Sequence, residues 1–384
     1  MTDFNTKRNL HILHDDKFTD GAIRQFERYY PHQNIYVVLL YAGSDLKDTS
    51  PNTLAQIFKI RDAELKNKIY HIIRTNNVEN LFIHYLDNFK ASITNKILER
   101  FSLKFYWIFY GGDLYGYLQQ YRGYHILDDP GLLQKKNMLQ RIIRELKYLL
   151  WFRKTIRQTM FKAFGQVDYF CFWNEYDFEL YQSYFKNNAV FKPFIYYHAL
   201  GNPAFSGKEK EDIILINHSA SFSGNHLYIF RLLNRLGFSD TRYSLLIPLS
   251  YGNKEYADIV EDDAIRLFGE KAEILRDFMP IVQYQQKLSK VKVAIFGMKR
   301  QEAAGNIFQL LNMGAKVFLR EENTVLKWLR NRDFVVFSVE KDLSDMHQIT
   351  PLSEEEIIHN RACYHRYFSA DMYNDMMKNL IGEG

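Results

Sequence analysis

The chain has 384 residues, room for two domains at about 150 residues each, and 47% of it is hydrophobic, which excludes bulk disorder. Its two cysteines, Cys171 and Cys363, are too few for a disulfide framework or a zinc cluster and fit a reduced, cytoplasmic setting. The net charge of +5 is mild; the N-terminal stretch lacks the apolar core of a signal peptide, and no run of about 18 apolar residues exists to cross a bilayer.

Short apolar runs alternate with amphipathic stretches along the first half. "NLHIL" (9–13) predicts a strand and "DGAIRQFERYY" a helix. "IYVVLLY" (35–41), "NLFIHYL" (80–86), "KFYWIFY" (104–110) and "VDYFCFW" (167–173) predict further strands. Helices are expected over "AELKNKIYHIIRTN", "ITNKILERF" and "EYDFELYQSYF". After "ALGNPAFSGKEKED" (199–212), the best linker in the chain, the alternation restarts. Strands "IILI" (213–216), "RYSLLIPL" (242–249), "VKVAIF" (291–296), "AKVFLR" (315–320) and "FVVFSV" (334–339) are separated by helical patterns, and the tail is one or two amphipathic helices. Two doubly wound, Rossmann-like α/β domains follow, over 1–203 and 204–352, with helices 353–384 packing back toward the first. In such folds ligands sit at the carboxyl ends of strands, and a cleft between two domains is the default active site.

Four segments carry candidate chemistry. "INHSASFSGNH" (216–226) runs from a strand into a Ser/Gly/Asn loop and then a helix, a form that presents N–H groups and hydroxyls to an anion. Taken alone, a Ser/Asn-rich helix cap is the simpler reading. After "VKVAIF" come Gly297, Lys299 and Arg300, then a helix opening with Gln301, Glu302, Ala303, Ala304, Gly305 and Asn306. Small residues there admit either a diphosphate or close helix–sheet packing, and the cations and Glu302 suit a phosphate and a ribose. Gly111-Gly112-Asp113 ends a first-domain strand, where Asp113 is either a helix cap or a carboxylate facing the cleft. His84 ends another strand, and "HDDKF" (14–18) follows the first. Lastly, residues 135–162 hold nine Lys/Arg against one acid, Glu145, with Leu, Ile, Trp and Phe between them. That pattern predicts a basic amphipathic helix on an anionic membrane surface, with Arg144, Lys147, Arg153, Lys154 and Arg157 on its polar face. No nucleic-acid-binding signature accompanies the charge.

Together these segments resemble the TDP-N-acetylfucosamine:lipid II N-acetylfucosaminyltransferase family, glycosyltransferase family 56. The resemblance rests on "FYWIFYGGDLY", "LINHSASFSGNH", "LIPLSYGNKEY", "FMPIVQYQQKL" and "RQEAAGNIFQLLNMGAKVFLREEN", in that order over roughly residues 80 to 325. His218 stands where the family usually has Asn, and Glu302 where Gln is common.

The resemblance implies a GT-B fold of two Rossmann-like domains. It implies transfer of an amino-deoxy sugar from a TDP- or UDP-sugar to a polyprenyl-diphosphate-linked oligosaccharide at the cytoplasmic face of the bacterial inner membrane. The sequence holds no Asp-x-Asp triple to ligate a metal at a sugar-nucleotide site, so no metal cofactor is expected. Carried onto this chain, it places Ser219, Ser221, Ser223, Asn225, His226, Tyr251, Arg300, Gln301, Glu302, Gly305 and Asn306 on the donor side. Asp113 falls on the first-domain loop, and with His84 as the other candidate it would take the acceptor proton. An epimerase or phosphorylase of the same fold, or a non-catalytic binder of anionic lipid or nucleic acid, are the alternatives.

Overall fold

Parallel strands covered by helices on both faces read as unbroken apolar runs, and the runs above form such strands. The computed structural model describes residues 8–41, 45–51, 53–129, 131–196 and 209–382, with the backbone alone over 132–139 and at 141. By internal contact the chain divides into two compact units: Met1–Tyr124 with Leu133–His198 and Ala370–Gly384, and His125–Leu132 with Ala199–Ser369.

The first unit is built on a seven-stranded parallel sheet. Its strands are β1 Arg8–His14, β2 Asn34–Leu40, β3 Gln56–Lys59, β4 Val78–His84, β5 Lys104–Ile108, β6 Tyr169–Phe172 and β7 Val190–Pro193, in the order β3-β2-β1-β4-β5-β6-β7. The second unit has β8 Glu211–Ile216, β9 Ser244–Pro248, β10 Ala272–Leu275, β11 Val291–Phe296, β12 Lys316–Leu319 and β13 Phe337–Ser338, in the order β10-β9-β8-β11-β12-β13. In each sheet the winding reverses once, between β1 and β4 and between β8 and β11. The loops leaving those neighbouring strands go opposite ways and open a crevice at the carboxyl edge.

The first core explains the high aromatic content. His11, Phe82, Tyr106 and Tyr169 stand in register on β1, β4, β5 and β6. Their rings stack one on the next, with centroids 4.6 Å, 4.4 Å and 4.3 Å apart. Each such pair contributes about 0.5–1.5 kcal/mol beyond area burial. On the other face Trp107 packs edge-on against Phe109, Phe170 and Tyr181. The second core is mainly aliphatic, with Ile214, Ile216, Ile229, Leu233, Val293 and Ile295 fully buried beside a few aromatic rings such as Phe230 and Phe318.

Several elements differ from the sequence expectation. The short edge strands β3 and β7 show no apolar signal because their end residues are exposed. "FVVFSV" forms only the two-residue β13, since Val339 opens a short helix whose cap is Ser338. The helix expected from Gln301 begins at Ala304. Most of the linker, residues 199–208, lies outside the described residues. The two tail helices divide: Glu354–Tyr367 lies in the second unit, whereas Ala370–Lys378 lies in the first, with Met377 and Leu380 fully buried. Residues 125–132 also belong to the second unit.

Phe82 is the centre of the aromatic ladder and is fully buried. Phe82→Ala is expected to cost about 3–5 kcal/mol, and Phe82→Leu less than half of that. Urea unfolding followed by tyrosine and tryptophan fluorescence measures both.

Candidate functional site

The crevice edge of the second unit is made by the loops after β8 and β11. Asn217 leaves β8 in the left-handed conformation, φ 57°, which Asn tolerates better than most residues. Its Nδ2 donates to the Gly224 carbonyl at 3.0 Å, and its Oδ1 accepts from the Gly297 N–H at 2.8 Å. Asn225, also left-handed at φ 50°, donates from Nδ2 to the carbonyls of Ile126 and Gly297, each at 3.0 Å, and accepts from the Asp128 N–H at 2.9 Å. Asn323 donates to the carbonyls of Met298 and Arg300, both at 2.9 Å. Asp128 in turn pairs with Arg320 and with Lys299, the latter at 2.8 Å. Burial alone would raise the Asp128 carboxyl, but these two cations hold it below its ordinary value.

On this frame sits a network of polar side chains. The Ser221 and Ser223 hydroxyls are 2.7 Å apart, Ser223 donates to Glu302 at 2.5 Å, and Arg300 pairs with the same Glu302 oxygen at 2.8 Å. The helix Ala304–Asn312 begins beside them after Ala303, a non-glycine residue at φ 61°, and no side chain caps it. Its first N–H groups therefore keep the partial positive charge that favours an anion.

The helix His226–Arg235 differs. Its first N–H donates to the Tyr256 hydroxyl at 3.2 Å, and His226 is wholly buried beside that tyrosine. Burial, and the nearby charge of His218, push the His226 imidazole down to about 3.

In the first unit the crevice lies between β1 and β4, and a one-way hydrogen-bond chain runs through the core behind it. The Asn34 amide is oriented by its Nδ2, which donates to the Tyr30 carbonyl at 2.7 Å, so its Oδ1 accepts from His11 Nε2 at 3.2 Å. His11 Nδ1 must then accept from His84 Nε2, 3.0 Å away, and His84 Nδ1 from the Tyr196 hydroxyl. Tyr196 accepts from Tyr110 at 2.9 Å. Both imidazoles are wholly buried, which holds His11 at about 3 and His84 well below the ordinary range.

Asp113, in the first turn of the helix Gly112–Tyr121, is 5% exposed. Its Oδ2 accepts from the Trp107 indole at 2.8 Å and the Leu86 N–H at 3.2 Å, and its Oδ1 from the N–H groups of Leu114 at 3.3 Å and Tyr110 at 3.4 Å. Burial outweighs these donors and pushes the carboxyl up to about 6. The helix cap itself is Gly111, at φ 99°.

The structure thus gathers Ser221, Ser223, Arg300 and Glu302 into one network, with Gln301, Gly305 and Asn306 at the adjoining helix start. Ser219 is buried 3.4 Å from His218 Nε2. Tyr251 stands on the next loop, its carbonyl accepting from the Ala220 N–H at 2.7 Å and its side chain 68% exposed. The side chains of Asn225 and His226 turn inward as supports. Asp113 and His84 are buried and each is engaged by its own set of partners. The residues that brace the loops, Asn217, Asn323 and the Asp128–Arg320 pair, were not singled out from the sequence; the only local signal was an Asn directly after the strand. Among the described residues no group of three or more His, Cys, Asp or Glu is placed to hold a metal ion.

Comparison with known proteins fits this arrangement. The profile of the family described as 4-alpha-L-fucosyltransferase, glycosyl transferase group 56, matches residues 17–375. The chain belongs to that family. No curated protein matches the sequence of this group 56 glycosyltransferase. Among solved structures, sucrose-phosphate synthase from Thermosynechococcus elongatus superposes at TM-score 0.64 with 8% identity, covering 97% of this chain and 98% of that one. Anabaena HepE in complex with UDP gives 0.61 with 8% identity over 97% and 99%. A glycosyltransferase from Rickettsia africae gives 0.56 with 12% identity over 98% and 100%. At these identities the likeness is one of fold, and the fold of the group 56 enzyme is GT-B.

Asn at position 113 would offer one acceptor oxygen where the carboxylate offers two. At pH 7, where the carboxyl is ionised, Asp113→Asn is therefore expected to destabilise the enzyme by about 1–3 kcal/mol through orphaned N–H donors. The native carboxyl binds its proton more tightly than the unfolded one, 3.8 rising to about 6. Its contribution is full below about pH 4 and is lost as the pH rises to 6, so the gap between wild type and variant should narrow across that window. Chemical unfolding at pH 4.5, 5.5 and 7 checks the sign.

Proposed function

We propose that this glycosyltransferase moves an amino-deoxy hexose, N-acetylfucosamine or a close relative, from a TDP- or UDP-sugar to a polyprenyl-diphosphate-linked glycan at an anionic bacterial inner-membrane surface. The observation that carries the donor side is the Ser221–Ser223–Glu302–Arg300 network beside the uncapped helix at Ala304. A diphosphate is the ligand that such a helix start and a neighbouring guanidinium would hold. Lys299, ion-paired to Asp128 and Glu322, adds charge close by. As the bond to the sugar breaks, negative charge grows on the leaving diphosphate, and fixed donors aimed at it lower the barrier without a metal. HepE, whose solved structure holds UDP, supports a nucleotide ligand on this fold.

The acceptor side rests on the basic segment. Helix Gly131–Phe152 ends at Arg153, φ 53°, and helix Ile156–Gly165 restarts from a capping box of Thr155 and Gln158. Glu145, the lone acid, accepts from Tyr121 and from the Ile156 N–H and so holds this break. Ile142, Ile143, Leu146, Leu149, Leu150 and Trp151 are exposed, Leu150 to 80%. Arg144, Lys147, Arg153, Lys154 and Arg157 are exposed among them. A contiguous apolar surface mixed with cations suits the headgroup layer of an anionic bilayer better than water. Among the described residues no helix is long and apolar enough to cross a membrane.

A nucleotide-sugar that binds only the folded enzyme raises its melting temperature, and a TDP- or UDP-sugar is expected to do so. Arg300→Ala should weaken that binding about tenfold or more, the size of a lost charge-assisted hydrogen bond. An unchanged shift in the variant would remove Arg300 from the donor site. Replacing Arg153, Lys154 and Arg157 together by Gln should lower binding to phosphatidylserine-containing vesicles about 100-fold, at about 1 kcal/mol per charge. Vesicle sedimentation measures it, and neutral phosphatidylcholine vesicles serve as the control.

A further inference from the structure

Two side chains at the carboxyl end of β1 have no role in the assignments above. His14 is the last residue of the strand and Asp16 lies two residues on, with side chains 24% and 22% exposed; His14 Nε2 and Asp16 Oδ2 are 3.0 Å apart. On the other side of the ring, His14 Nδ1 lies 2.8 Å from Nζ of Lys90, which is wholly buried. Lys90 also donates to the His84 carbonyl at 2.7 Å and stands 3.4 Å from Asp87.

An ammonium can only donate, so Nδ1 of His14 accepts, and the proton of the neutral imidazole sits on Nε2 and is given to Asp16. The chain therefore points from a buried cation, through an imidazole, to a carboxylate at the crevice. Asp16 is held from the other side by the Phe18 N–H at 2.7 Å and the Thr19 hydroxyl at 3.4 Å, both on Oδ1. Among the described residues His14 is the one group that meets Oδ2 of Asp16. Its neighbour Asp15 differs, since its oxygens are taken by the N–H groups of Lys47, Asp48 and Thr49. Burial alone would raise the Asp16 carboxyl, but the hydrogen bonds from His14 and the Phe18 N–H, with the Lys90 charge behind, keep it below the ordinary value.

The backbone that brings Lys90 under β1 is itself costly. Tyr85, directly after β4, is left-handed at φ 57°, a conformation that is strained for a non-glycine residue and clusters at functional sites. That turn sets Asp87 as the cap of helix Asn88–Leu98, from whose first turn Lys90 reaches back.

We propose that Asp16 takes the proton from the acceptor hydroxyl, with His14 and Lys90 as positioning residues that aim its carboxylate. This rests on the sugar-transfer reading above. The acceptor oxygen bonds to the anomeric carbon, the bond from that carbon to the diphosphate oxygen breaks, and its electron pair leaves with the nucleoside diphosphate. The hydroxyl proton passes to Oδ2 of Asp16. Asp113 and His84 are poorly placed for this step, since one is 5% exposed with four N–H donors and the other has both ring nitrogens engaged inside the core.

The test uses the full-length enzyme, a panel of TDP- and UDP-sugars and a farnesyl-diphosphate-linked disaccharide as acceptor, with nucleoside diphosphate release as the rate and calorimetry for donor binding. Asp16→Asn should lower kcat about 100-fold or more, with donor Kd and acceptor KM within about twofold of wild type. Asp16→Glu should recover part of the rate. His14→Gln, which keeps a donor to Asp16 and avoids the folding risk of removing a buried lysine, should cost about tenfold in kcat. Asp16→Asn turning over within about threefold of wild type overturns the proposal, as does a loss confined to donor Kd. A folded wild-type enzyme that binds no member of the donor panel overturns the sugar-transfer reading instead, and the proposal with it.

Discussion

In the second unit the backbone of Gly297 lies so close to the Gly224 carbonyl that a β-carbon there would stand 2.2 Å from that oxygen. The loops after β8 and β11 start from neighbouring strands and lead to helices on opposite faces of the sheet, and this contact draws them together. Asn217 and Asn225 bridge it with their amides, and both pay for the position with a left-handed backbone. Everything chemical in this unit follows from that closeness. Ser223 can reach Glu302, and Glu302 can orient Arg300, only because the two loops approach within one side chain's length.

The first unit solves a different problem, that of placing charge and imidazole inside an aromatic core. His11 stacks on Phe82 and lies edge-on to Phe26, an environment that strips it of charge. It is tolerable because each ring nitrogen has a partner in a chain whose direction is set by the Asn34 amide. Lys90 keeps its place by the same rule, since its ammonium is met by a carbonyl, an imidazole and a carboxylate. Satisfied networks of this kind cost little, whereas removal of one member leaves an orphan in low dielectric.

The strands of both sheets were legible because buried parallel strands must be apolar without interruption, as "IYVVLL" and "VKVAIF" are. β3, β7 and β10 were not, because an edge strand half open to water carries no such run. The loops after β8 and β11 were legible by composition as breaks between strand and helix, since Ser, Gly and Asn gather there. Which of their residues face outward was not: Asn225 and His226 look like ligands in sequence, yet Ile126, Gly297 and Tyr256, all distant along the chain, claim them. The same holds for His84 and Asp113, strand-end polar residues that their tertiary neighbours turn into parts of the frame. His14 and Lys90 are 76 residues apart, and nothing local to either announces the other.

The division of the chain into units has a consequence for how the molecule is made. The backbone passes from one unit to the other at four points, near residues 124, 132, 198 and 369. Met377 and Leu380 belong to the core that Phe26, Tyr30 and Phe82 begin, and the Tyr30 hydroxyl is anchored on the Met377 carbonyl. During synthesis, then, the domain that emerges first is the one finished last. Its core lacks Met377 and Leu380 until those residues leave the ribosome, after every strand of the second sheet. A gene cut at the interdomain linker would yield two fragments, neither of which contains a whole domain.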